Sequence, residues 1–305
     1  MHELPQIGAA VVTMGVFDGV HHGHRAILDA TRTTATELNA ASLVLAFDPP
    51  PDEVLRPGTV VPRLAPLAVN LDRVESAGVA HALPIRFDPA LRELTAEEFL
   101  DAMAPAVDLR GLVMTERSAF GRDRGGTVAR MRELGPARGF AVTVIQPVEI
   151  DGALVSSTRI RAAIAEGDVD AAQRLGVTPY LEGTVVSGDR RGRDLGFPTA
   201  NLRFDYRPAM PALGIYAGRA VRSDRSVAAG QPALISIGTR PTFHEGGDVL
   251  AEVHLLDFDG DLYGSLLAVE LLVRLRDERR FEDVNSLVTQ MRRDAEMGRA
   301  ALGLS

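Results

Sequence analysis

Apolar residues in the first half of the chain come in short runs that give way to helical spacing. Residues 9–17 form an apolar run that reads as a strand, and residues 24–38 continue with apolar positions at helical steps. Residues 42–47 repeat the strand pattern and stop at Pro49, Pro50 and Pro51. Thr95 and Glu98 have the spacing of a capping box and predict a helix through Met103, and residues 111–114 and 140–146 read as further strands. Strands alternating with helices imply an α/β domain whose parallel sheet is covered on both faces.

The pattern changes beyond residue 155. Two short helices are predicted between Ser156 and Gly176, the first closed by Gly167, the second opened by Asp168 and closed by Gly176. After Tyr180, β-type runs recur at residues 183–186, 214–221, 233–237, 250–256 and 267–275, separated by Gly, Pro and Asp, as in a small antiparallel barrel. A last helix, residues 284 to 302, carries Val284, Leu287, Val288, Met291 and Ala295 on one stripe, with Asp283 as N-cap. The boundary between the two regimes falls near residue 180, giving domains 1–180 and 181–305.

Composition narrows the function. A chain of 305 residues is long enough for two cores. The net charge of -8 argues against a nucleic-acid coat, though local arginines can still hold small phosphates. There is no cysteine, which removes disulfides, thiolate nucleophiles and Cys-based zinc sites, and no lysine, which removes any lysine mechanism. No apolar run approaches the roughly 20 residues needed to cross a bilayer, and the first ten residues lack a secretory pattern, so a cytoplasmic protein without membrane partners is expected.

Two segments concentrate chemistry. G-V-F-D-G-V-H-H-G-H, residues 15–24, places Asp18, His21, His22 and His24 where the first strand hands over to the first helix. Gly15, Gly19 and Gly23 let the backbone approach a ligand, the helix start offers N–H groups to phosphate, and imidazoles there can donate to developing charge. The residues also fit a plain tight turn, and a zinc site would need three or four ligands that no companion cluster supplies. V-S-S-T-R-I-R, residues 155–161, opens a helix with Ser156, Ser157 and Thr158 beside Arg159 and Arg161, which suits a triphosphate cradle or ordinary capping.

With G-D-R-R-G-R-D-L-G-F-P-T-A-N-L (188–202), I-G-T-R-P-T-F (237–243) and E-V-H-L-L-D-F-D-G-D-L-Y-G (252–264), these segments resemble the bacterial bifunctional riboflavin kinase/FAD synthetase family over nearly the whole chain. The resemblance implies a Rossmann-like nucleotidylyltransferase domain that joins FMN to the adenylyl group of ATP. It also implies a six-stranded barrel that phosphorylates riboflavin. It assigns His21 and His24 to catalysis of adenylyl transfer and Glu252 to proton abstraction in the kinase. It assigns Gly15, Phe17, Asp18, Ser156, Ser157, Thr158, Arg161, Gly188, Arg193 and Tyr263 to nucleotide binding, with Arg190 and Arg191 nearby. Arg276 falls at the flavin, and Thr199 and Asn201 at Mg²⁺, whose preference for hard oxygen donors they meet. ATP is the co-substrate; Glu270, also on an apolar strand, reads as structural.

The N-terminal half departs from the family pattern at five positions. Pro50 stands where a histidine is usual, Ala65 and Asn70 where a threonine and a basic residue are, Arg117 where an Asn or Asp is, and Ser118 where an aromatic is. These changes lead to the expectation that the nucleotide still binds while FMN adenylylation is weakened, lost or redirected to another flavin or nucleotide. A kinase with a degenerate first domain, and a flavin- or nucleotide-sensing protein, remain the competing readings.

Overall fold

The computed structural model describes residues 4–187, 195–224, 227, 230–239 and 249–304. They fall into two compact units, residues 1–61 with 66–156, and residues 62–65 with 157–305.

The first unit runs β1 (Gly8–Gly15), α1 (His22–Glu37), β2 (Ala41–Asp48), α2 (Pro51–Leu55), α3 (Leu67–Ser76), β3 (His81–Arg86), α4 (Pro89–Arg92), α5 (Ala96–Met103), β4 (Val107–Thr115), β5 (Ala119–Phe120), β6 (Gly126–Thr127), α6 (Val128–Arg138), β7 (Ala141–Ile145), β8 (Glu149–Ile150) and β9 (Ala153–Leu154). Five strands make a parallel sheet in the order β3-β2-β1-β4-β7. Its central strands are buried on both faces. Val12, Leu43 and Leu45 pack into one apolar cluster with α5, while Val11, Val44 and Ala46 pack into another with Ile27, Leu28 and Ala35 of α1. Thr31, buried on α1, satisfies its hydroxyl by donating to the Ile27 carbonyl at 2.7 Å. The capping box at Thr95 and Glu98 forms, with bonds of 2.8 and 3.1 Å.

The second unit adds α7 (Ser157–Glu166), α8 (Val169–Arg174), β10 (Tyr180–Val186), β11 (Ala200–Arg203), β12 (Gly214–Ser223), β13 (Gln231–Thr239), β14 (Val249–Leu255), β15 (Leu266–Arg276) and α9 (Val284–Ala301). Its six strands close an antiparallel barrel in the order β10-β11-β14-β13-β12-β15. Alternate residues such as Leu181, Leu202, Ile235, Val253 and Val269 fill the interior. Residues 62–65 join this unit by backbone pairing: Arg63 N–H donates to the Arg207 carbonyl at 2.7 Å, and Ala209 N–H donates to the Arg63 carbonyl at 2.8 Å.

Three expectations change. β11 was legible only as a motif, yet it is the barrel's sixth strand. β3 and α3 were not foreseen. The α9 stripe also shifts: Val284 is 58 % exposed, and the residues the helix buries are Asp294 and Gly298. Gly298 marks the closest approach, since a Cβ there would stand 2.5 Å from Leu234 Cδ2.

Candidate active sites

The first site is the loop that carries the chain from β1 to α1. β1 pairs with β2 on one side and β4 on the other, so the loop opens at the carboxyl edge of the sheet where strand order reverses. Phe17, Gly19 and Val20 all have positive φ, 51°, 82° and 47°. For Phe17 and Val20 that conformation is unfavourable by roughly 1–3 kcal/mol each, so it must be held from outside. Both side chains are buried in the α1-side core, and Asn70 of α3 clamps the backbone between them. Its Oδ1 accepts from Gly19 N–H at 2.9 Å and its Nδ2 donates to Asp18 Oδ1 at 3.2 Å. Asn70, read from sequence as a departure from the family, is the residue that ties this loop to the fold.

The loop delivers two stacked imidazoles. His21 is buried and caps α1, its Nδ1 accepting from His24 N–H at 3.2 Å. Neutral His21 therefore carries its proton on Nε2. The two rings lie 3.7 Å apart and nearly parallel, with Phe17 5.1 Å from His24 on another side. Burial first, and neighbouring His21 second, hold His24 well below the ordinary imidazole value of 6.5. Its Nδ1 is buried with no hydrogen-bond partner among the described residues. Gly23 lets the rings sit close here: a Cβ would stand 3.1 Å from the His21 ring, a tight contact, and 3.5 Å from the Val155 carbonyl. The start of the second motif thus lies beside H-x-G-H. His22 opens α1 half-buried.

Of the second motif, Ser156 ends the first unit, whereas Ser157, Thr158 and Arg161 open α7 in the second. Arg161 donates from Nε to the Pro62 carbonyl at 2.6 Å. Besides Asn70, three of the departures are built into the local structure. Pro50 is buried at the start of α2. Ser118 closes a turn, its Oγ accepting from Thr115 N–H at 3.1 Å and lying 2.7 Å from Thr115 Oγ1. Ala65 is buried. Arg117 is exposed.

The second site lies on the outer wall of the barrel. Asn201 is opposite Glu252 across β11 and β14, and Glu252 is opposite Ser236 across β14 and β13. Their neighbours along each strand, Ala200 and Leu202, Ala251 and Val253, Ile235 and Ile237, point into the core. Asn201, Glu252 and Ser236 therefore form a polar row on the other face, with cross-strand Cβ separations of about 4.5–5.5 Å expected for direct neighbours. That row lines a cavity of about 940 Å³ whose wall also includes Thr199, Tyr263 and Arg276. His254, two residues beyond Glu252 on the same face, hydrogen-bonds through Nδ1 with the Pro198 carbonyl at 2.8 Å, and so ties the segment before β11 to β14.

Thr199 and Asn201 present hard oxygen donors at this wall, which fits magnesium. Among the described residues no group of three or more His, Asp or Glu could hold a metal ion, so a magnesium here would draw its other oxygens from phosphate and water. Glu270 lies on β15 opposite Tyr180 and Arg219 and does not line the cavity. Gly188, Arg190, Arg191 and Arg193 lie outside the described residues. Sequence reasoning missed Ser236 and His254, although the alternation of polar and apolar residues along β13 and β14 marks both as outward-facing.

Comparison with known proteins finds two different families matched along the chain. The FAD synthetase family matches residues 5–159 and the riboflavin kinase family residues 175–302. A Pseudomonas fluorescens bifunctional riboflavin kinase/FMN adenylyltransferase is 39 % identical over 303 residues, covering 98 % of this chain and 96 % of the relative. The Escherichia coli K12 protein of that name is 34 % identical, covering 100 % and 96 %, and the Bacillus subtilis one is 30 % identical, covering 93 % and 90 %. A crystal structure from Streptococcus pneumoniae, described as a macrolide-efflux protein, superposes with a TM-score of 0.86 at 31 % identity, covering 98 % of this chain and 96 % of that one. Among the described residues here, no helix is long and apolar enough to cross a membrane.

Proposed function

The chain belongs to the bifunctional riboflavin kinase/FMN adenylyltransferase family, and from that premise we propose that it runs the two reactions at the two sites just described, phosphorylating riboflavin at the barrel wall and adenylylating FMN at the loop after β1. The observation that carries the kinase half is the Asn201–Glu252–Ser236 row, a carboxylate flanked by neutral polar groups on the wall of a cavity large enough for a flavin. Glu252 takes the proton from the primary hydroxyl of the ribityl chain as that oxygen bonds to the γ-phosphorus of ATP and ADP leaves. Thr199 and Asn201 would hold magnesium at this wall, and Tyr263 contacts the nucleotide. Bound magnesium supplies charge neutralisation at the transferring phosphoryl group. Arg276 contacts the flavin; the resemblance gives Gly188 and Arg193 to nucleotide binding.

In the adenylyl step a phosphate oxygen of FMN bonds to the α-phosphorus of ATP and pyrophosphate leaves. His21, through Nε2–H, and neutral His24 donate to the phosphate oxygens as charge shifts toward the leaving group. Gly15, Phe17 and Asp18 shape the loop that receives the nucleotide, and Ser156, Ser157, Thr158 and Arg161 grip the triphosphate. The division of labour is placed at residue 180, with adenylyl transfer in 1–180 and phosphoryl transfer in 181–305; two successive family matches, ending at 159 and beginning at 175, support two functional halves, while the compact units part earlier, after Ser156. Substrates are small phosphates and flavins, met in the cytoplasm; the acidic balance of -8 disfavours nucleic acid as a partner.

One assay tests this. Purified protein with riboflavin, ATP and Mg²⁺ is expected to give FMN and then FAD on chromatographic separation. FMN alone would leave the kinase and remove the adenylyl reading, and tight flavin binding with neither product would identify a sensor.

A further inference from the structure

Helix α9 carries a carboxylate where its packing stripe calls for an apolar residue. Leu287, Met291 and Gly298 succeed one another along the barrel-facing side, and between them Asp294 is 3 % exposed. A carboxylate leaves water only at a cost that excellent pairing can offset. Asp294 has that pairing: Oδ1 accepts from Arg276 Nε at 2.8 Å, Oδ2 accepts from Arg276 Nη2 at 2.6 Å, and Gln290 Nε2, one turn earlier, donates to Oδ1 at 2.9 Å. The same guanidinium donates from Nη1 to the Asp277 carbonyl at 2.8 Å and lies 6.0 Å from the Phe281 ring centre. One N–H from each of Nε, Nη1 and Nη2 is thereby engaged, leaving a further N–H on each terminal nitrogen for a ligand. Arg276 and Asp294 both line the cavity.

A two-point fork of this kind fixes the plane of an arginine as well as its position. The contrast within the same chain is Arg32 with Asp29, a single bond at 2.9 Å between side chains 45 % and 69 % exposed, which orders little. We propose that Asp294 is a positioning residue of the kinase site, holding the Arg276 guanidinium in the one orientation that turns its remaining N–H groups toward hydrogen-bond acceptors of the bound flavin. This rests on the reading of Arg276 as a flavin contact. Asp294 itself touches Arg276 and Gln290, and acts on the flavin through the arginine.

The test uses the full-length protein and separate KM values for riboflavin and ATP. Asp294→Asn keeps the size of the side chain but removes its charge and one acceptor. It is expected to raise the riboflavin KM by on the order of tenfold. The ATP KM and the kcat at saturating riboflavin should stay within about twofold. Asp294→Glu, which restores the charge, is expected to recover most of the riboflavin affinity. A riboflavin KM unchanged by Asp294→Asn, or a loss of kcat in proportion to folded protein with KM unchanged, overturns the proposal and leaves a helix clamp. Arg276→Lys separates the two readings: an unchanged riboflavin KM there removes the flavin contact itself, whereas a raised KM beside an unaffected Asp294→Asn removes only the positioning role. If Asp294→Asn does not fold, equilibrium riboflavin binding by flavin fluorescence decides between Arg276→Lys, expected to be weak, and Asp294→Glu, expected near wild type; equal affinities overturn the proposal.

Discussion

The loop after β1 and the polar row on the barrel are built by opposite means. The loop is contiguous in sequence, and its shape comes from the sign of φ at Phe17, Gly19 and Val20 and from one clamp, Asn70. The row takes one residue from each of three strands, and its shape comes from register alone. A one-residue slip of β14 would send Glu252 into the apolar interior and bring Ala251 or Val253 to the wall. A local loop can therefore keep its form while residues around it change. A registered row survives only if the whole barrel does.

The largest effects should come from removing the group at the centre of each design. Glu252→Gln preserves the strand and its row but removes the proposed base, and should lower the kinase rate by about 10²–10⁴-fold. Adenylylation of FMN supplied directly should be untouched, which two separate product assays will read. His24→Ala should do the reverse, lowering the adenylyl rate by about 10²–10³-fold, the range for losing one preorganised donor, with kinase activity retained. A comparable loss of kinase rate in His24→Ala would erase the distinction between the two sites.

What was legible in the sequence follows the same division. Local signals worked: Thr95 with Glu98, Asp168 and Asp283 all cap helices through side-chain bonds, and Gly167 and Gly176 end helices at positive φ. Non-local ones did not. β11 is only four residues long and was hidden inside a motif, so its pairing with β14, which brings Asn201 to Glu252, could not be read from spacing. β3 contains Pro84, which demotes a strand pattern, and α3 starts after Pro66 without a side-chain cap. Asp294 was missed because a charge on a helix reads as solvent-facing, and only the partner on β15 explains its burial. Asn70 was judged against a family pattern, whereas its bonds to residues fifty positions away give it a use of its own.

Asn70→Ala sharpens the comparison at an intermediate size. It leaves the Gly19 N–H without its acceptor in a buried place, a change that costs about 1–3 kcal/mol. That should appear as a lower denaturation midpoint for the transition of the first unit and a weaker adenylyl step, with the kinase rate and the transition of the barrel unit unmoved. A kinase rate that falls in step would mean that the loop's clamp serves both designs.

The smallest effect concerns protons, and its sign is fixed by the burial of His24. In the unfolded chain this imidazole takes up a proton near the ordinary value of 6.5, whereas in the folded protein burial and His21 keep it neutral until well below that. Below 6.5 the unfolded state therefore binds more protons at this group than the folded one, so its contribution to stability falls as the pH falls; above 6.5 both states are neutral at this group and its contribution no longer changes. Denaturant midpoints of the first unit should decline between about pH 7 and about pH 5.5, and His24→Gln should remove part of that slope. The same neutrality sets the rate profile: a His24 that donates as a neutral group should give an adenylyl step with an acid limb well below 6.5. An acid limb at 6.5 or above that disappears in His24→Gln would mean that the imidazole is solvated in the working enzyme. The loop would then hold its histidines for proton uptake instead of for neutral donation.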